Sequence, residues 1–218
     1  MHRVLFCFAL LLSVLVGCAP HASHTSAGAR ALFNGENLDG WKGLVGNPIS
    51  RAKMTPAELD AAQAAADERM HAHWSVVDGV LVFDGKGDSL VTIEDFGDFE
   101  FWVDWKIKPD GDSGIYLRGS PQVQIWDNPI GSGGLYNNQK NPSQPLVHAD
   151  NPIGDWNTFR IRMVGDRVTI WLNDHLVTDD VVLENYWDRS QPIFSRGPIE
   201  LQNHGNTLYF RNISVREL

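Results

Sequence analysis

The sequence predicts an all-β fold, a sandwich or jelly roll carrying one helical insertion, and three observations predict it. Apolar and polar residues alternate along many short runs, and Gly, Pro, Asn and Asp clusters separate those runs. Eight Trp, ten Phe and four Tyr supply enough apolar area for a sizeable core. The run 99–107 is the clearest strand. Phe99, Phe101, Val103, Trp105 and Ile107 fall on one side, and Glu100, Trp102, Asp104 and Lys106 on the other. Phe159, Ile161 and Met163 alternate with Arg160 and Arg162. After a Gly165-Asp166 turn, Val168, Ile170 and Leu172 alternate with Thr169, Trp171 and Asn173, which reads as a β-hairpin. Further strands are expected at 75–83, 88–93, 114–118, 122–127, 198–203 and 207–216. Many antiparallel strands with one buried face make a sandwich.

One segment departs from this pattern. Thr55-Pro56-Ala57-Glu58 reads as a capping box with Pro at the first helical position. Leu59, Ala62, Ala66 and Met70 then recur on one helical face, so a helix near 56–71 is expected to pack over a sheet edge.

Length favours a single large domain, since sandwiches commonly use about 200 residues as one unit. A hydrophobic share of 43% with 21% charged residues excludes wholesale disorder. The net charge of −9 argues against nucleic acid as a partner, because a phosphate backbone demands the opposite sign. Two Cys cannot make a disulfide scaffold.

The first residues read as an export signal. Arg3 is followed by an almost wholly apolar run from Val4 to Val16, too short to span a bilayer as a helix but suited to a signal peptide. The run ends in Leu15-Val16-Gly17-Cys18, which resembles the bacterial lipobox and implies cleavage after residue 17 and acylation of Cys18. Residues 18–30 then form a flexible tether, and 31–218 the folded domain. Ala19 is not the Asp associated with inner-membrane retention. The expectation is therefore a lipoprotein of the outer membrane, facing the periplasm or the cell surface.

Familiar catalytic signatures are missing: no G-x-S-x-G elbow, Walker loop, dinucleotide fingerprint or H-E-x-x-H occurs. Gly131-Ser132-Gly133-Gly134 has no following Lys-Ser/Thr and reads as a loop. What remains is a polar-aromatic face. Alternation sets Glu100, Trp102 and Asp104 on it from one strand, and Gln124 and Trp126 from another, with Asp127 at the end. Glu200, Gln202 and His204 come from a third, and Tyr116 and Arg118 behave likewise. If these strands are neighbours, one sheet carries carboxylates, amides, an Arg, a His and aromatics. Sugars suit that mixture, since C–H faces stack on rings while hydroxyls pair with polar groups. An ordinary solvated face with ion pairs such as Glu100–Arg118 fits the same pattern.

Several stretches resemble the 3-keto-disaccharide hydrolase domain family. They begin with Leu32-Phe33-Asn34-Gly35-Glu36-Asn37-Leu38-Asp39-Gly40-Trp41, then Trp74 with Asp78-Gly79, and Phe96-Gly97-Asp98-Phe99-Glu100. Asp112-Ser113-Gly114-Ile115-Tyr116-Leu117-Arg118-Gly119 and Val123-Gln124-Ile125-Trp126-Asp127 follow. The last are Gly154-Asp155-Trp156-Asn157-Thr158-Phe159-Arg160-Ile161, Ile199-Glu200-Leu201-Gln202-Asn203-His204-Gly205 and Phe210-Arg211-Asn212-Ile213. The order is the family's, over essentially all of 31–218. The resemblance implies a concanavalin-like jelly-roll sandwich and cleavage of glycosidic bonds in sugars already oxidised at C3 by a separate sugar 3-dehydrogenase.

That chemistry follows from the ketone. It acidifies the C2 hydrogen, so a base can remove it and expel the C1 substituent by β-elimination; water then adds to the enone. The route needs a base near C2, a proton donor for the departing oxygen and hydrogen-bond donors at the C3 enolate. It does not need the paired carboxylates of an ordinary glycosidase. Glu100, Asp127 and His204 are the candidate acid–base residues. Asp104, Tyr116, Arg118, Gln124, Trp126, Glu200 and Gln202 are the candidate sugar-binding residues, with Arg118, Gln124 and Gln202 suited to orienting the sugar or stabilising the enolate. No cofactor is required by the sequence. Asp104, Asp127, Glu200 and His204 offer oxygen and nitrogen ligands for a divalent metal, without a close-spaced ligand motif. Two other classes remain open at this point: a lectin-like lipoprotein on the same sandwich, and a structural envelope protein.

Overall fold

The computed structural model describes residues 27–218. The export signal, Cys18 and most of the tether lie outside the described residues. In chain order the strands begin with β1 (Arg30–Ala31), β2 (Trp41–Gly43), β3 (Trp74–Val77), β4 (Val80–Phe83), β5 (Leu90–Thr92) and β6 (Phe99–Ile107). They continue with β7 (Asp112–Leu117), β8 (Ser120–Trp126), β9 (Asn157–Val164), β10 (Arg167–Leu172), β11 (His175–Val182), β12 (Glu200–Leu201) and β13 (Leu208–Glu217). Helices α1 (Pro48–Arg51) and α2 (Pro56–His73) lie between β2 and β3.

The strands pair antiparallel into two sheets. The larger runs β11-β10-β9-β6-β13-β4-β3, with β1 alongside β13; the smaller runs β2-β5-β12-β7-β8. The alternation in the sequence becomes the two facing sides of a sandwich. Phe99, Phe101, Val103 and Trp105 of β6 share one core with Ile115 and Leu117 of β7, Val123 and Ile125 of β8 and Leu201 of β12.

Two expected strands change in detail, and one strand is added. The run 75–83 is a hairpin, because Asp78 and Gly79 both take positive φ (51° and 76°), the backbone a two-residue hairpin turn requires. A second such turn at Asn173 and Asp174 adds β11, which no alternation announced. The Asn212-Ile213-Ser214 stretch lies at a register shift of β13, and the Asn212 amide bonds Asp104.

Both edges of the small sheet are covered. The helix at 56–73, capped by Thr55 and Glu58 as expected, lies against β2. Asp67 accepts the Gly43 N–H (2.9 Å) and Gln63 donates to the Gly43 carbonyl (2.8 Å), so side chains replace a missing strand. Only glycine fits at position 43, since a Cβ there would strike the Ala66 carbonyl. At the other edge the Gly-rich loop runs along β8: Gln124 donates to the Gly134 carbonyl (2.9 Å) and Gly133 to that of Gln124 (2.8 Å).

Candidate active site

The outer face of the small sheet gathers polar side chains from three strands. Glu200 of β12 stands opposite Tyr116 of β7, and Gly114 of β7 opposite Gln124 of β8. The Gln202 N–H donates to the Gly114 carbonyl (2.9 Å), which extends the pairing past β12. Parity then puts Gln122, Gln124 and Trp126 on this same face.

A chain of hydrogen bonds crosses the face. The Asn137 amide donates to Gln122 Oε1 (3.4 Å), Gln122 Nε2 to Gln124 Oε1 (2.6 Å), and Gln124 Nε2 to Asp112 Oδ1 (2.7 Å). The other oxygen of Asp112 lies 3.7 Å from His204 Nδ1. Beside this chain, Gln202 Nε2 donates to the Tyr116 hydroxyl (3.1 Å), while Gln202 Oε1 is buried without a partner. Gly114 makes the room: a Cβ there would sit 3.0 Å from the amides of Gln122 and Gln202. At the end of the face Trp126 packs edge-on against Tyr136, with ring centroids 5.4 Å apart, and a cavity of about 120 Å³ opens beside Gln124.

Glu200 is the electrostatic anomaly of the face. Burial pushes its carboxyl up to about 7, against the opposing pull of a Ser89 hydrogen bond and the Arg51 charge. A carboxyl that ionises near neutrality is suited to taking up a proton. Burial, with Glu200 and Tyr186 nearby, also raises the Tyr116 hydroxyl, which stays a neutral phenol able to donate.

The sequence-derived residues divide between two faces. Glu100, Trp102 and Asp104 lie on β6 of the large sheet, on the opposite side of the sandwich from Tyr116, Gln124, Glu200 and Gln202. The single face expected for all of them is therefore corrected: parity reports which side of its own strand a residue takes, and not which sheet owns the strand. Glu100 bonds Arg160 (2.7 Å) and Arg216, and Asp104 bonds Thr158 (2.7 Å), Arg211 (3.1 Å) and Asn212 (2.7 Å). The suggested Glu100–Arg118 pair does not form.

Arg118 departs from the sheet face as well. It is buried at positive φ, and its guanidinium donates to the carbonyls of Gly97 (2.7 Å) and Gly165 (2.7 Å) and to Asp98 (2.7 Å). Asp127 turns to the rim, where its carboxylate accepts the Asp110 N–H (3.0 Å) and closes the β6–β7 turn. His204 stays exposed at the mouth of the face. The four suggested metal ligands do not converge, and among the described residues no group of three His, Cys, Asp or Glu forms a metal cluster.

Several contributors escaped the sequence reading. Arg51 comes from α1, which a capping box at Asn47 and Ser50 nucleates. Asn137 and Tyr186 come from long loops. Gln122 and Asp112 were within reach, since both lie at face positions of strands already recognised. Glu184 clamps the loops together: it accepts the N–H groups of Gln139, Lys140 and Asn141, and pairs with Arg189 (2.7 Å).

The model of the 3-keto-alpha-glucoside-1,2-lyase-like domain matches residues 28–216. A Bacteroides thetaiotaomicron protein named 3-keto-disaccharide hydrolase is 23% identical over 245 residues, covering 86% of this chain and 77% of that one. A Parabacteroides distasonis crystal structure, provisionally described as a glycosyl hydrolase, superposes with a TM-score of 0.67 at 27% identity, over 88% of this chain and 84% of that one. A second structure from the same organism shares the fold at 23% identity and a TM-score of 0.63, over 88% and 94% of the two chains.

Proposed function

The chain belongs to the 3-keto-alpha-glucoside-1,2-lyase-like domain family, and from that premise we propose that it cleaves the glycosidic bond of a 3-keto-glycoside, such as a 3-keto-disaccharide, on the outer face of the small sheet. The observation that carries the reading is Glu200, a buried carboxyl pushed up to about 7 beside Tyr116 and the glutamine cluster. The Glu200 carboxylate removes the C2 proton and becomes the neutral acid that its burial favours. The electrons pass through the C2–C3 bond to the C3 oxygen, and their return expels the C1 oxygen. Tyr116 and the amides of Gln122 and Gln202 donate to or orient the oxygens around the enolate. His204, at the exposed mouth and near Asp112, protonates the departing oxygen. Water then adds at C1 and gives its proton to His204. The Glu200 carboxyl, after exchange with solvent, delivers a proton to C2, and the sum is hydrolysis.

In this reading Gln124 and Asp112 fix the amide chain, and Trp126 offers a ring face at the end of the site. Glu100, Asp104, Arg118 and Asp127 hold the scaffold. The oxidised substrate comes from a separate sugar 3-dehydrogenase. The test is incubation with a 3-keto-disaccharide and with its unoxidised parent, in deuterated water. Monosaccharide release from the oxidised sugar alone, with deuterium entering C2, is the expected result. Equal turnover of both sugars sinks elimination and points to a conventional glycosidase. Binding of both without cleavage makes the face that of a carbohydrate-binding module.

The site is proposed to work in the cell envelope, tethered through lipid on Cys18. Cys18→Ser is expected to release the protein from membranes or leave it unprocessed. Unchanged membrane fractionation of that variant rules the anchor out.

A further inference from the structure

Trp126 stands where the polar face ends, directly opposite Asp112 on the neighbouring strand, and Asp112 lies 3.7 Å from His204. β8 stops at Trp126, and a cavity of about 390 Å³ opens there between the turn 127–129 and the loop 148–153. The volume falls within the range of small-molecule pockets. The Trp126 indole borders both this cavity and the smaller one beside Gln124, so it joins the cavity to the face.

The Gly-rich loop builds the junction. Trp126 Nε1 donates to the Gly131 carbonyl (2.7 Å), the Trp126 N–H to Ser132 Oγ (3.1 Å), and the Ser132 N–H to Asp150 Oδ2 (2.9 Å). Gly131 takes positive φ (88°), and a Cβ there would stand 3.0 Å from the His148 ring and 3.1 Å from the Asp150 carboxylate. One loop thus holds the indole, His148 and Asp150 around a common space.

The walls leave hydrogen-bonding capacity open. Asp150 is the most informative: its side chain is 8% exposed, Ser132 occupies Oδ2, and Oδ1 is buried without a partner, as Gln202 Oε1 is on the face. His148 is half-exposed, and its Nε2 lies 3.8 Å from Asp150 Oδ2, too far for a hydrogen bond. Asn128 Oδ1 accepts the Ile130 N–H (3.0 Å) and Asn151 Nδ2 donates to the Trp156 carbonyl (2.9 Å). The other amide atom of each has no partner among the described residues. Asp127 adds a second carboxylate, and Pro129, Pro152 and Ile153 make up the apolar remainder of the wall.

We propose that this cavity seats the leaving group of the substrate, and that the leaving group is a second, uncharged sugar. The proposal rests on the elimination reading above. With the departing oxygen at His204, the ring attached to it lies over Asp112 and reaches Trp126. A pyranose lays a C–H face on the indole while its hydroxyls meet Asp150, His148 and the two amides. An apolar ring would displace water from those groups and return no hydrogen bonds. An anionic group would meet the like charges of Asp127 and Asp150.

The test uses three 3-keto-glucosides that differ in what is attached at C1. One carries a second glucose, one a cyclohexyl ring of similar size without hydroxyls, and one a methyl group too short to reach Trp126. His148→Ala and Asp150→Asn alter the polar wall outside the acid–base machinery, and the Asn keeps an oxygen for the Ser132 N–H. Each variant is expected to lower kcat/KM for the disaccharide about tenfold, mainly through KM, and to leave the other two compounds within about twofold. Equal loss on the cyclohexyl compound overturns the sugar as occupant. Equal loss on the methyl compound, or no loss on the disaccharide from either variant, overturns the site while leaving elimination intact. If the unmodified protein cleaves none of the three, elimination falls, and calorimetry with the unoxidised disaccharide decides the cavity. Binding weakened about tenfold by His148→Ala then sustains a second-sugar site, and absent or unaltered binding overturns it.

Discussion

Glu100 and Glu200 are buried almost alike, at 2% and 4% exposure, on the outer faces of opposite sheets. Their surroundings differ. Burial would raise the Glu100 carboxyl, but Arg160 and Arg216 overcome it and hold the group below the usual carboxylate range. Around it the outer face of the large sheet is a lattice of matched charges and rings: Arg160 lies over Trp171 (4.5 Å), and Arg211 over Trp156 (4.0 Å). Glu200 has a Ser hydroxyl and a more distant Arg51 for support, and its ionisation is pushed to about 7. Burial alone thus does not mark a functional carboxylate. What sets Glu200 apart is burial without a full set of partners, and that condition recurs on the same face at Gln202 Oε1.

The sharpest way to break the comparison is to neutralise Glu200. Glu200→Gln is expected to lower turnover of a 3-keto-glycoside about 10²–10⁴-fold, the usual loss of a general base. Its stability should move the other way. Between the ordinary value of 4.5 and about 7 the folded protein holds a proton that the unfolded chain releases, so native stability falls as pH rises through that window. The variant escapes this fall. Its thermal midpoint should exceed that of the unmodified protein at pH 8 and converge with it below pH 4.5. A variant destabilised at pH 8 and fully active would remove Glu200 from the base role.

Glu184 supplies the opposite sign of pH dependence. Burial opposes its ionisation, yet the N–H groups of Lys140, Asn141 and Gln139 outweigh that and hold the carboxyl at about 2. The folded value lies below the unfolded one, so its contribution is complete above about pH 4.5 and disappears as pH falls towards 2. Linkage puts that contribution at roughly 3 kcal/mol at neutral pH. Glu184→Gln should lose most of it, flatten the acid limb of a stability–pH curve, and raise KM because the loops bearing Asn137 and Tyr186 part. An unchanged acid limb would show that the clamp carries little stability.

Glu100→Gln tests the paired face. Removing one partner of a buried ion pair commonly costs about 3–5 kcal/mol, but Arg160 and Arg216 have side chains 45% and 32% exposed and can recover water. A loss of about 2 kcal/mol is expected in denaturant unfolding, with kcat per folded molecule preserved. A fall in kcat comparable to that of Glu200→Gln would bring the large sheet into catalysis and undo the distinction between the faces.

How far the sequence could anticipate this depended on strand length and on what each pattern encodes. β6, β9 and β10 were legible because six to nine residues of alternating apolar and polar character leave only one side able to join the core. β5 and β12, three and two residues long, are too short to show a period, so their expected bounds ran wide. β11 was invisible because register shifts in its pairing with β10 break the alternation. Tyr116, Gln124, Glu200 and Gln202 were found through parity, and that same parity misplaced Glu100 and Asp104. Sheet membership is decided by partners far away in the chain. Arg118 was misread for a related reason: its positive φ at the end of β7 turns the side chain away from the face that alternation assigns it.

The smallest expected effect tests whether the open partners of the small sheet serve substrate. Gly114 lies in β7 without positive φ, so alanine is allowed by the backbone, yet its Cβ would stand 3.0 Å from the amides of Gln122 and Gln202. Those are flexible side-chain ends, and each can yield by a few tenths of an ångström. The fold should therefore survive Gly114→Ala, with stability changing by less than about 1 kcal/mol, since alanine also restricts the unfolded chain. The displacement falls on the two amides proposed to orient the oxygens around the enolate. If they act there, kcat/KM for a 3-keto-glycoside should drop about tenfold, because catalytic groups tolerate little misplacement. The loss should lie mainly in kcat. Normal kcat in a well-folded Gly114→Ala would mean that Gln122 and Gln202 stiffen the sheet without touching the sugar, and Glu200 and Tyr116 alone would then distinguish this face from the other.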